Sequence, residues 1–317
     1  MAAARQVVSF GECMLELQGQ PFGTLQQAYG GDTLNTAVYL ARCGAAHGLR
    51  VDYASALGDD SLSTGLLQRW QAEGLGTGLV RCLPGRLPGL YLIEVDAQGE
   101  RRFHYWREQA AARSYFDTAD GATPLEQAAA GIGALYFSGI SLAILPPAGR
   151  ARLATLAAGL RARGVPVVFD NNYRPRLWPD LATAQAAFTQ FTALASIALM
   201  TLDDEQALWG LPDADAALQR TLALPCAEVV VKRGAADTLV RLSGAEVLAV
   251  PTVAVPRVVD TTAAGDSFAG AYLASRLAGA SASAAAAAGN RLAACVVQHR
   301  GAVIPLASMP PGAVAAV

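Results

Sequence analysis

The feature that most constrains the fold of this chain is an alternation of short β-rich runs with helical stretches. Runs such as residues 6–10 and 51–57 contain β-branched and aromatic residues, and segments rich in helix-forming residues lie between them. Such alternation is typical of parallel sheets, because a crossover helix must return the chain to the start of the next strand. We therefore predict an α/β protein with a central, mainly parallel sheet that is flanked by helices.

The predicted elements occupy most of the 317 residues. The predicted strands are residues 6–10, 51–57, 134–140, 165–170, 196–201 and 228–232. The predicted helices are residues 34–43, 61–73, 148–163, 182–192, 203–208, 264–277 and 281–299. A chain of this length can form one large α/β domain with an appendage, so we expect a single domain over residues 1–317.

Two segments, about residues 12–30 and 86–107, do not follow this alternation. Helix formers are sparse in both, and the second segment is typical of a hairpin with strands at 89–95 and 102–106 and a turn at 96–99. The residues alone leave two interpretations open. The segments form a small second sheet that closes over a ligand as a lid, or they extend the edge of the main sheet.

Composition and charge argue against several classes of function. The net charge is −2, so the chain has no basic surplus for a phosphate backbone, and we expect no nucleic-acid partner. The two long uncharged stretches, residues 127–149 and 181–202, are interrupted by glycine, proline or polar residues, so we expect no membrane span. The first twelve residues lack the apolar core of a secretory signal, and the five cysteines are scattered. These features predict a cytoplasmic protein with reduced thiols.

The strongest functional signal is the run VVDTTAAGDSFAGAY at residues 258–272, which opens a predicted helix. The first N–H groups of a helix have no partner within it, and with the helix dipole they form a site for anionic oxygens. The small residues Ala263, Ala264 and Gly265 let a phosphate approach the main chain, and the Asp266 carboxylate in the same turn can take a proton from a hydroxyl. This arrangement predicts phosphoryl transfer to a hydroxyl. Ordinary capping of the helix is the alternative.

The same run, DTTAAGDSFAGAYL, resembles the C-terminal signature of the PfkB carbohydrate kinases, a ribokinase-like family. The segment GGDTLNTA at residues 30–37 resembles the sugar-binding Gly-Gly segment of that family, and the resemblance extends over nearly the whole chain. It implies a ribokinase-like three-layer sandwich with a small β lid. It also implies ATP with Mg²⁺, and it leaves open a monovalent cation near Asp260 and Thr262.

The resemblance assigns a second group of residues to the nucleotide and its metal. The nucleotide residues are Asn172, Arg174, Lys232, Gly234, Asp237, Ala263, Ala264, Gly265 and Asn290. Asp237 stands where the family usually has a second glycine, and a helix surface amide is the alternative for Asn290. Glu205 resembles the acidic residue of the Asn-x-x-Glu motif that helps to hold magnesium, although Leu202 replaces the asparagine. The alternative for Glu205 is a solvated acidic first turn.

Three segments indicate the chemical class of the molecule that accepts the phosphoryl group. Residues 31–35 offer a carboxylate, a hydroxyl and an amide to sugar hydroxyls. Arg107 closes the predicted hairpin, and Arg174 follows a predicted strand, at the end where open α/β sheets hold ligands. Two converging arginines suit a carboxylate, because the guanidinium fork matches two oxygens, so the acceptor is predicted to be a sugar acid. Solvated surface arginines are the alternative.

Together these segments resemble the members of the family that phosphorylate the 6-hydroxyl of 2-keto-3-deoxygluconate, in sugar-acid catabolism. The residues that this resemblance assigns to the substrate are Gly31, Asp32, Asn35, Tyr91, Tyr105, Arg107, Asn172, Arg174 and Asp266. It places Arg107 and Arg174 at the carboxylate and Asp266 at the 6-hydroxyl. The alternatives are a neutral-sugar kinase of the fructokinase or ribokinase type, and a sugar-binding regulator without catalysis.

The lid segments also predict self-association. Their strands could pair with the lid of a second copy and bury apolar side chains such as Leu15, Leu17, Leu92 and Ile93. We therefore expect a homodimer that forms through the lid.

Overall fold

A computed structural model describes residues 5–20, 22–95, 101–118 and 121–313. Within these ranges the chain forms thirteen strands and ten α-helices. The strands are β1 (Arg5–Phe10), β2 (Met14–Gly19), β3 (Leu25–Gly30), β4 (Leu49–Leu57), β5 (Val80–Cys82), β6 (Gly89–Val95), β7 (Arg101–Trp106), β8 (Ala134–Ser138), β9 (Val167–Asp170), β10 (Ile197–Thr201), β11 (Glu228–Arg233), β12 (Ala236–Leu242) and β13 (Leu248–Val250). The helices are α1 (Asp32–Gly44), α2 (Ser61–Ala72), α3 (Pro124–Gln127), α4 (Gly139–Ile144), α5 (Pro147–Ala162), α6 (Leu181–Leu194), α7 (Leu202–Trp209), α8 (Ala214–Leu222), α9 (Ala264–Leu277) and α10 (Ala282–Val296).

Nine strands form the central sheet, in the order β13-β12-β11-β10-β9-β8-β1-β4-β5. All neighbours from β11 to β5 are parallel, whereas β12 and β13 are antiparallel. Successive side chains of a strand point to opposite faces, so Val7 and Val8 of β1 belong to different apolar clusters. Helices α1, α9 and α10 pack in the Val7 cluster, and α5, α6 and α8 pack in the Val8 cluster. The predicted layered α/β architecture is confirmed.

The two extended segments form a separate sheet, in the order β3-β2-β6-β7. Strands β2 and β6 pair in parallel, and the two outer pairs are antiparallel. We call this the lid sheet, and the rest of the structure the body. The alternative interpretation, in which the two segments extend the edge of the main sheet, is therefore wrong. The predicted turn at residues 96–99 lies outside the described residues.

The structure corrects several predicted elements. The predicted strand at 134–140 ends at Ser138, because the Ser138 and Ser141 hydroxyls form a capping box that starts α4. Gly139 is required there, since a Cβ on it would lie 2.1 Å from the carbonyl oxygen of Asn171. The sequence analysis also missed α8, which Asp213 caps, and the antiparallel strands β12 and β13. The last predicted helix ends at Val296, three residues before His299.

The described part of the chain contains no helix that is both long and apolar enough to cross a membrane. The thiols of all five cysteines are unpaired, and only Cys82 is exposed.

Candidate active site

The predicted site residues meet where the parallel strands end and where α1 and α9 begin. Asp170 is the last residue of β9, and Lys232 lies near the end of β11. The Lys232 Nζ donates to Asp170 Oδ2 at 2.8 Å, and both side chains are largely buried. Parallel strands bring their carboxyl ends to one edge of the sheet, which is where open α/β folds hold ligands.

Asp266 lies in the first turn of α9 and is bound by a residue from the first turn of α1. Asn35 Nδ2 donates to Asp266 Oδ2 at 2.8 Å. Burial, together with the charges of Asp32 and Asp170, raises the pKa of Asp266 from 3.8 to about 7, although the Asn35 hydrogen bond and the charge of Lys232 oppose the rise. A carboxyl group with a pKa near 7 is well matched to accept a proton at neutral pH.

The start of α9 leaves open space beside its N-terminal amides. The residue before the helix, Ala263, adopts a left-handed conformation with φ of 59°. Among the described residues, a Cβ added to Gly265 would have one close neighbour, the Nζ of Lys232 at 3.5 Å, so the space in front of this glycine is open. An amine and a helix N-terminus therefore border one opening, an arrangement that suits an anionic group. The Ala264 N–H already donates to the Thr261 carbonyl at 3.2 Å.

The two predicted acceptor segments are joined by a hydrogen bond. Asn172 Nδ2 donates to Asp32 Oδ2 at 2.8 Å, and this bond links the end of β9 to the start of α1. Asn172 has a φ of 27°, in the left-handed region, and strain of this kind clusters at functional sites. Its conformation is supported by Asn171, whose Oδ1 accepts hydrogen bonds from the N–H groups of Asn172 and Thr201, both at 2.9 Å. Asn171 is a site residue that the sequence patterns do not predict.

The two predicted arginines lie in different environments. Arg107 is 7% exposed, and its Nη2 donates to Oε2 of the buried Glu12. Arg174 is exposed, and its Nη1 reaches Asp204 Oδ1 at 3.3 Å. A solvated surface cation is therefore the wrong interpretation of Arg107. The sequence analysis missed Glu12 because the pair is 95 residues apart and no local pattern connects them.

The lid sheet carries aromatic side chains beside the same region. The rings of Tyr91 and Tyr105 are 5.9 Å apart, and the Tyr91 hydroxyl donates to the Glu16 carboxylate. Tyr105 is about half exposed, at 49%. A Cβ added to Gly30 would lie 3.5 Å from the Tyr91 hydroxyl oxygen and 3.7 Å from Asn35 Oδ1. The lid tyrosine, the Gly-Gly segment and Asn35 therefore border one space. Glu16 is a second acidic residue that sequence reasoning missed.

The residues predicted beside the nucleotide are only partly brought together. Gly234 forms the turn between β11 and β12 with a φ of 61°, and Asp237 lies in β12, where its carbonyl accepts a hydrogen bond from Arg233. Asn290 is buried, with Oδ1 bound to the Thr238 hydroxyl at 2.8 Å and Nδ2 bound to backbone carbonyls of residues 250 and 251. A helix surface amide is therefore the wrong alternative for Asn290. Its polar atoms connect α10 to the antiparallel edge of the sheet.

Glu205 is buried at the start of α7 rather than solvated. Asn171 Nδ2 donates to its Oε1 at 3.3 Å, and Trp209 Nε1 donates to its Oε2 at 3.2 Å. Burial raises its pKa, and the Asn171 hydrogen bond and the charge of Arg220 lower it. Across the described ranges, no three His, Cys, Asp or Glu side chains form a group that could hold a metal ion. However, Mg²⁺ at sites that bind a nucleotide is usually held by one or two carboxylates together with phosphate oxygens and waters.

Comparison with known proteins places the sequence among carbohydrate kinases. The sequence profile of the pfkB family carbohydrate kinases matches residues 4–309. A 2-dehydro-3-deoxygluconokinase from Dickeya dadantii (strain 3937) is 49% identical over 308 residues, which are 96% of this chain and 99% of that protein.

Two crystal structures show the same fold. The 2-dehydro-3-deoxygluconokinase of Thermotoga maritima superposes with a TM-score of 0.78 and 22% identity, over 95% of this chain and 94% of the other. A fructokinase with bound ATP from Xylella fastidiosa superposes with a TM-score of 0.79 and 22% identity, over 97% and 95% of the two chains. These likenesses confirm the predicted ribokinase-like fold. Since the family profile covers nearly the whole sequence, this chain belongs to the pfkB family of carbohydrate kinases.

Proposed function

We propose that this protein transfers the γ-phosphoryl group of ATP to the 6-hydroxyl of 2-dehydro-3-deoxygluconate, also called 2-keto-3-deoxygluconate. The observation that carries the proposal is Asp266, which has a pKa raised to about 7 and lies one residue from the open space at Gly265. A proton acceptor and an anion site in one helical turn are what phosphoryl transfer to a hydroxyl requires.

The residues around the start of α9 would each have a separate role in the transfer. Asp266 takes the proton of the attacking hydroxyl, and Asn35 fixes the orientation of its carboxylate through their 2.8 Å hydrogen bond. The Gly265 amide and the helix dipole stabilise charge on the moving phosphoryl group. Lys232, held by Asp170 beside the same opening, adds a positive charge there.

The choice of a sugar acid rests on Arg107 and on the relatives. Arg107 lies at the junction between the lid sheet and the body, and its guanidinium can hold a carboxylate through two parallel hydrogen bonds. The Dickeya relative, 49% identical over almost its full length, is named for this sugar acid. Tyr91, Tyr105, Asp32 and Asn172 complete the proposed acceptor pocket, and we assign Arg174, which pairs with Asp204, to its acid-binding end as a second cation.

We propose ATP with Mg²⁺ as the donor. When bound, the ion neutralises the phosphate oxygens and orients them for transfer. The buried Glu205 carboxylate and its Asn171 partner fit a role in holding the ion through water, since few protein ligands are needed beside the phosphates. For a monovalent cation we propose the neighbourhood of Asp260, whose carboxylate also accepts hydrogen bonds from the N–H groups of Thr262 and Gly301.

We further propose a cytoplasmic homodimer. Trp106 and Phe103 of the edge strand β7 are 58% and 43% exposed, and they offer apolar area on the two opposite faces of this edge to a second copy. Leu15 and Ile93, which the sequence analysis assigned to this interface, are already buried within one chain, so β7 replaces them in the proposal. A sedimentation mass of one chain at micromolar concentration would contradict the dimer. Five unpaired cysteines and the use of ATP support the cytoplasm.

The test is an ADP-release assay of the wild type and Arg107→Ala with 2-dehydro-3-deoxygluconate, fructose and ribose. We expect selective use of the sugar acid, and a rise of about 100-fold in its KM when Arg107 is removed, because a charge-assisted bidentate contact is lost. Glu126→Ala is the control, since it breaks a different ion pair, with Arg152, that is partly buried and lies outside the proposed site. Equal turnover of a neutral sugar, with Arg107→Ala harmless, would overturn the substrate. If no ADP is released with any of the three sugars, this proposal would be overturned in favour of a non-catalytic sugar binder.

A further inference from the structure

The chain passes between the body and the lid sheet four times, and Glu12 lies at the first passage. The four passages are residues 12–14, 30–32, 88–89 and 106–107. Strands β2 and β6 begin at the first and third passages, and strands β3 and β7 end at the second and fourth. The junction of a moving sheet with a rigid body is where a few residues control the geometry of closure.

Glu12 contacts each of the other three passages. A Cβ on Gly31 would lie 2.1 Å from the Glu12 carbonyl oxygen, and a Cβ on Gly89 would lie 2.7 Å from Glu12 Oε1. Its Oε2 accepts the hydrogen bond from Arg107 Nη2 at the fourth passage. Glycines at 31 and 89 therefore leave space for Glu12. Glu12 in turn fixes the position of Arg107 relative to both halves of the lid sheet.

Two polar atoms of this ion pair have no hydrogen-bond partner within the described ranges. They are Glu12 Oε1 and Arg107 Nε, and both are buried. Buried polar atoms are normally satisfied, and a buried ion pair is favourable only when its remaining donors and acceptors are bound. An unfilled donor beside an unfilled acceptor fits a ligand that carries a carboxylate or carbonyl oxygen near a hydroxyl group.

We propose that Glu12 is the positioning residue for the acid-binding end of the acceptor site: it holds the Arg107 guanidinium so that its free edge can take the carboxylate of a sugar acid. This inference rests on the proposed function, since it requires an acidic acceptor. Glu12 also keeps the empty junction electrically neutral, because Arg107 is paired before the acceptor arrives. Glu12 accordingly acts through Arg107 on acceptor affinity and not on the phosphoryl donor.

The test compares Glu12→Gln, Arg107→Ala and the double variant with the wild type, using 2-dehydro-3-deoxygluconate and ATP. We expect Glu12→Gln to raise the KM for the sugar acid about 10- to 100-fold, because a neutral amide holds the Arg107 guanidinium more weakly than a carboxylate does. The kcat and the KM for ATP should stay within about threefold, since the donor side is untouched. The double variant should have the same KM for the sugar acid as Arg107→Ala alone, because the two single changes disrupt the same interaction.

Glu126→Gln is the matched control, because it removes the charge from a partly buried pair with Arg152 that lies on α3 and α5. It should lower the melting temperature without changing either KM. If Glu12→Gln fails to fold, Glu12→Asp tests the same point, since its shorter side chain keeps the charge but displaces Arg107 and should also raise the sugar-acid KM.

Three outcomes would overturn the role of Glu12. They are a wild-type sugar-acid KM in the folded variant, equal increases in both KM values, and additive effects in the double variant. The failure of the proposed function looks different, because the wild type itself would then not use the sugar acid.

Discussion

The two ends of the proposed acceptor site are built in opposite ways. The phosphoryl end, formed by Gly265, Asp266 and Lys232, uses the ends of regular elements of the body and contains a carboxyl group whose pKa is raised to about 7. The acid end, formed by Glu12 and Arg107, lies at the junction with the lid sheet, and its charges are already paired.

This difference separates reactivity from recognition. A proton acceptor must be held in an environment that disfavours its charge, so that it binds a proton near neutral pH. A recognition group must instead be fixed in place, and the ion pair with Glu12 does this for the buried Arg107 guanidinium while its Nε remains without a partner in the described residues. Changes at the phosphoryl end should therefore affect turnover, whereas changes at the acid end should affect acceptor affinity.

The largest expected effect comes from Asp266→Asn. We expect turnover to fall by a factor of about 10²–10⁴, because the proton acceptor is lost, while binding of the sugar acid is retained. Steady-state assays with calorimetric binding of the sugar acid would check both. Near-normal turnover would remove Asp266 from the role of base.

The same variant should be more stable than the wild type at high pH. Folding raises the pKa of Asp266 above its ordinary value of 3.8, so the folded state loses stability as the pH rises from about 4 through about 7. With partial exposure of the side chain allowed for, the ionised carboxylate costs about 2–4 kcal/mol above pH 7. Asp266→Asn should thus melt higher than the wild type at pH 8, and the difference should vanish near pH 4. An equal difference at both values would contradict the raised pKa.

Gly265→Ala should separate the phosphoryl site from the fold. The added Cβ meets only Lys232 Nζ at 3.5 Å, so the variant should keep its melting temperature, but the methyl group occupies the space proposed for the phosphate. We expect a loss of about 10²-fold in kcat, comparable to removal of one transition-state donor. Gly159→Ala is the matched control, because this glycine is an exposed residue of α5 with no atom near its Cβ position. Full activity in Gly265→Ala would contradict an anion site at this turn.

The contrast between the two ends also explains what the sequence could predict. Gly265 and Asp266 of the phosphoryl end lie within one contiguous run, and α9 spans the predicted residues 264–277 because small residues and a first-turn carboxylate are local signals. The layered sheet was predictable for the same reason, since the parallel strands β4, β8, β9 and β10 are each followed by a helix. The antiparallel strands β12 and β13 were missed because that part of the chain lacks this alternation.

The acid end was only half predictable. Arg107 could be recognised beside aromatic residues at the end of a hairpin, but its partner Glu12 is 95 positions away. The same holds for Asn171, whose contacts with Thr201 and Glu205 depend on the neighbouring positions of β9 and β10. Contacts between distant segments are set by strand order and register, which local residue patterns do not encode.

Arg174→Ala should have a smaller effect than Arg107→Ala. Arg174 is exposed, and its pairing with Asp204 at 3.3 Å is weakened by solvent. We expect the KM for the sugar acid to rise about 3- to 10-fold, against about 100-fold for Arg107→Ala. Arg176→Ala, at an exposed position two residues away, should leave the KM unchanged. Equal effects of Arg107→Ala and Arg174→Ala would mean that the two arginines share the carboxylate evenly.

The smallest effect concerns the pH dependence of turnover and tests how the body tunes Asp266. Since Asp266 must be ionised to accept a proton, kcat/KM of the wild type should fall about tenfold per pH unit below about 7. The negative charge of Asp32 helps to raise this pKa, so Asp32→Asn should move the acidic limb of the profile down by about half a unit to one unit.

Asn172→Ala provides the control for Asp32→Asn. It removes the hydrogen bond to Asp32 but keeps the charge, so it should weaken the acceptor without moving the limb. Because lost affinity lowers the whole profile whereas a shifted pKa moves its midpoint, the two variants separate binding from electrostatic tuning. A limb that stays in place in Asp32→Asn would assign the raised pKa of Asp266 to burial and Asp170 alone.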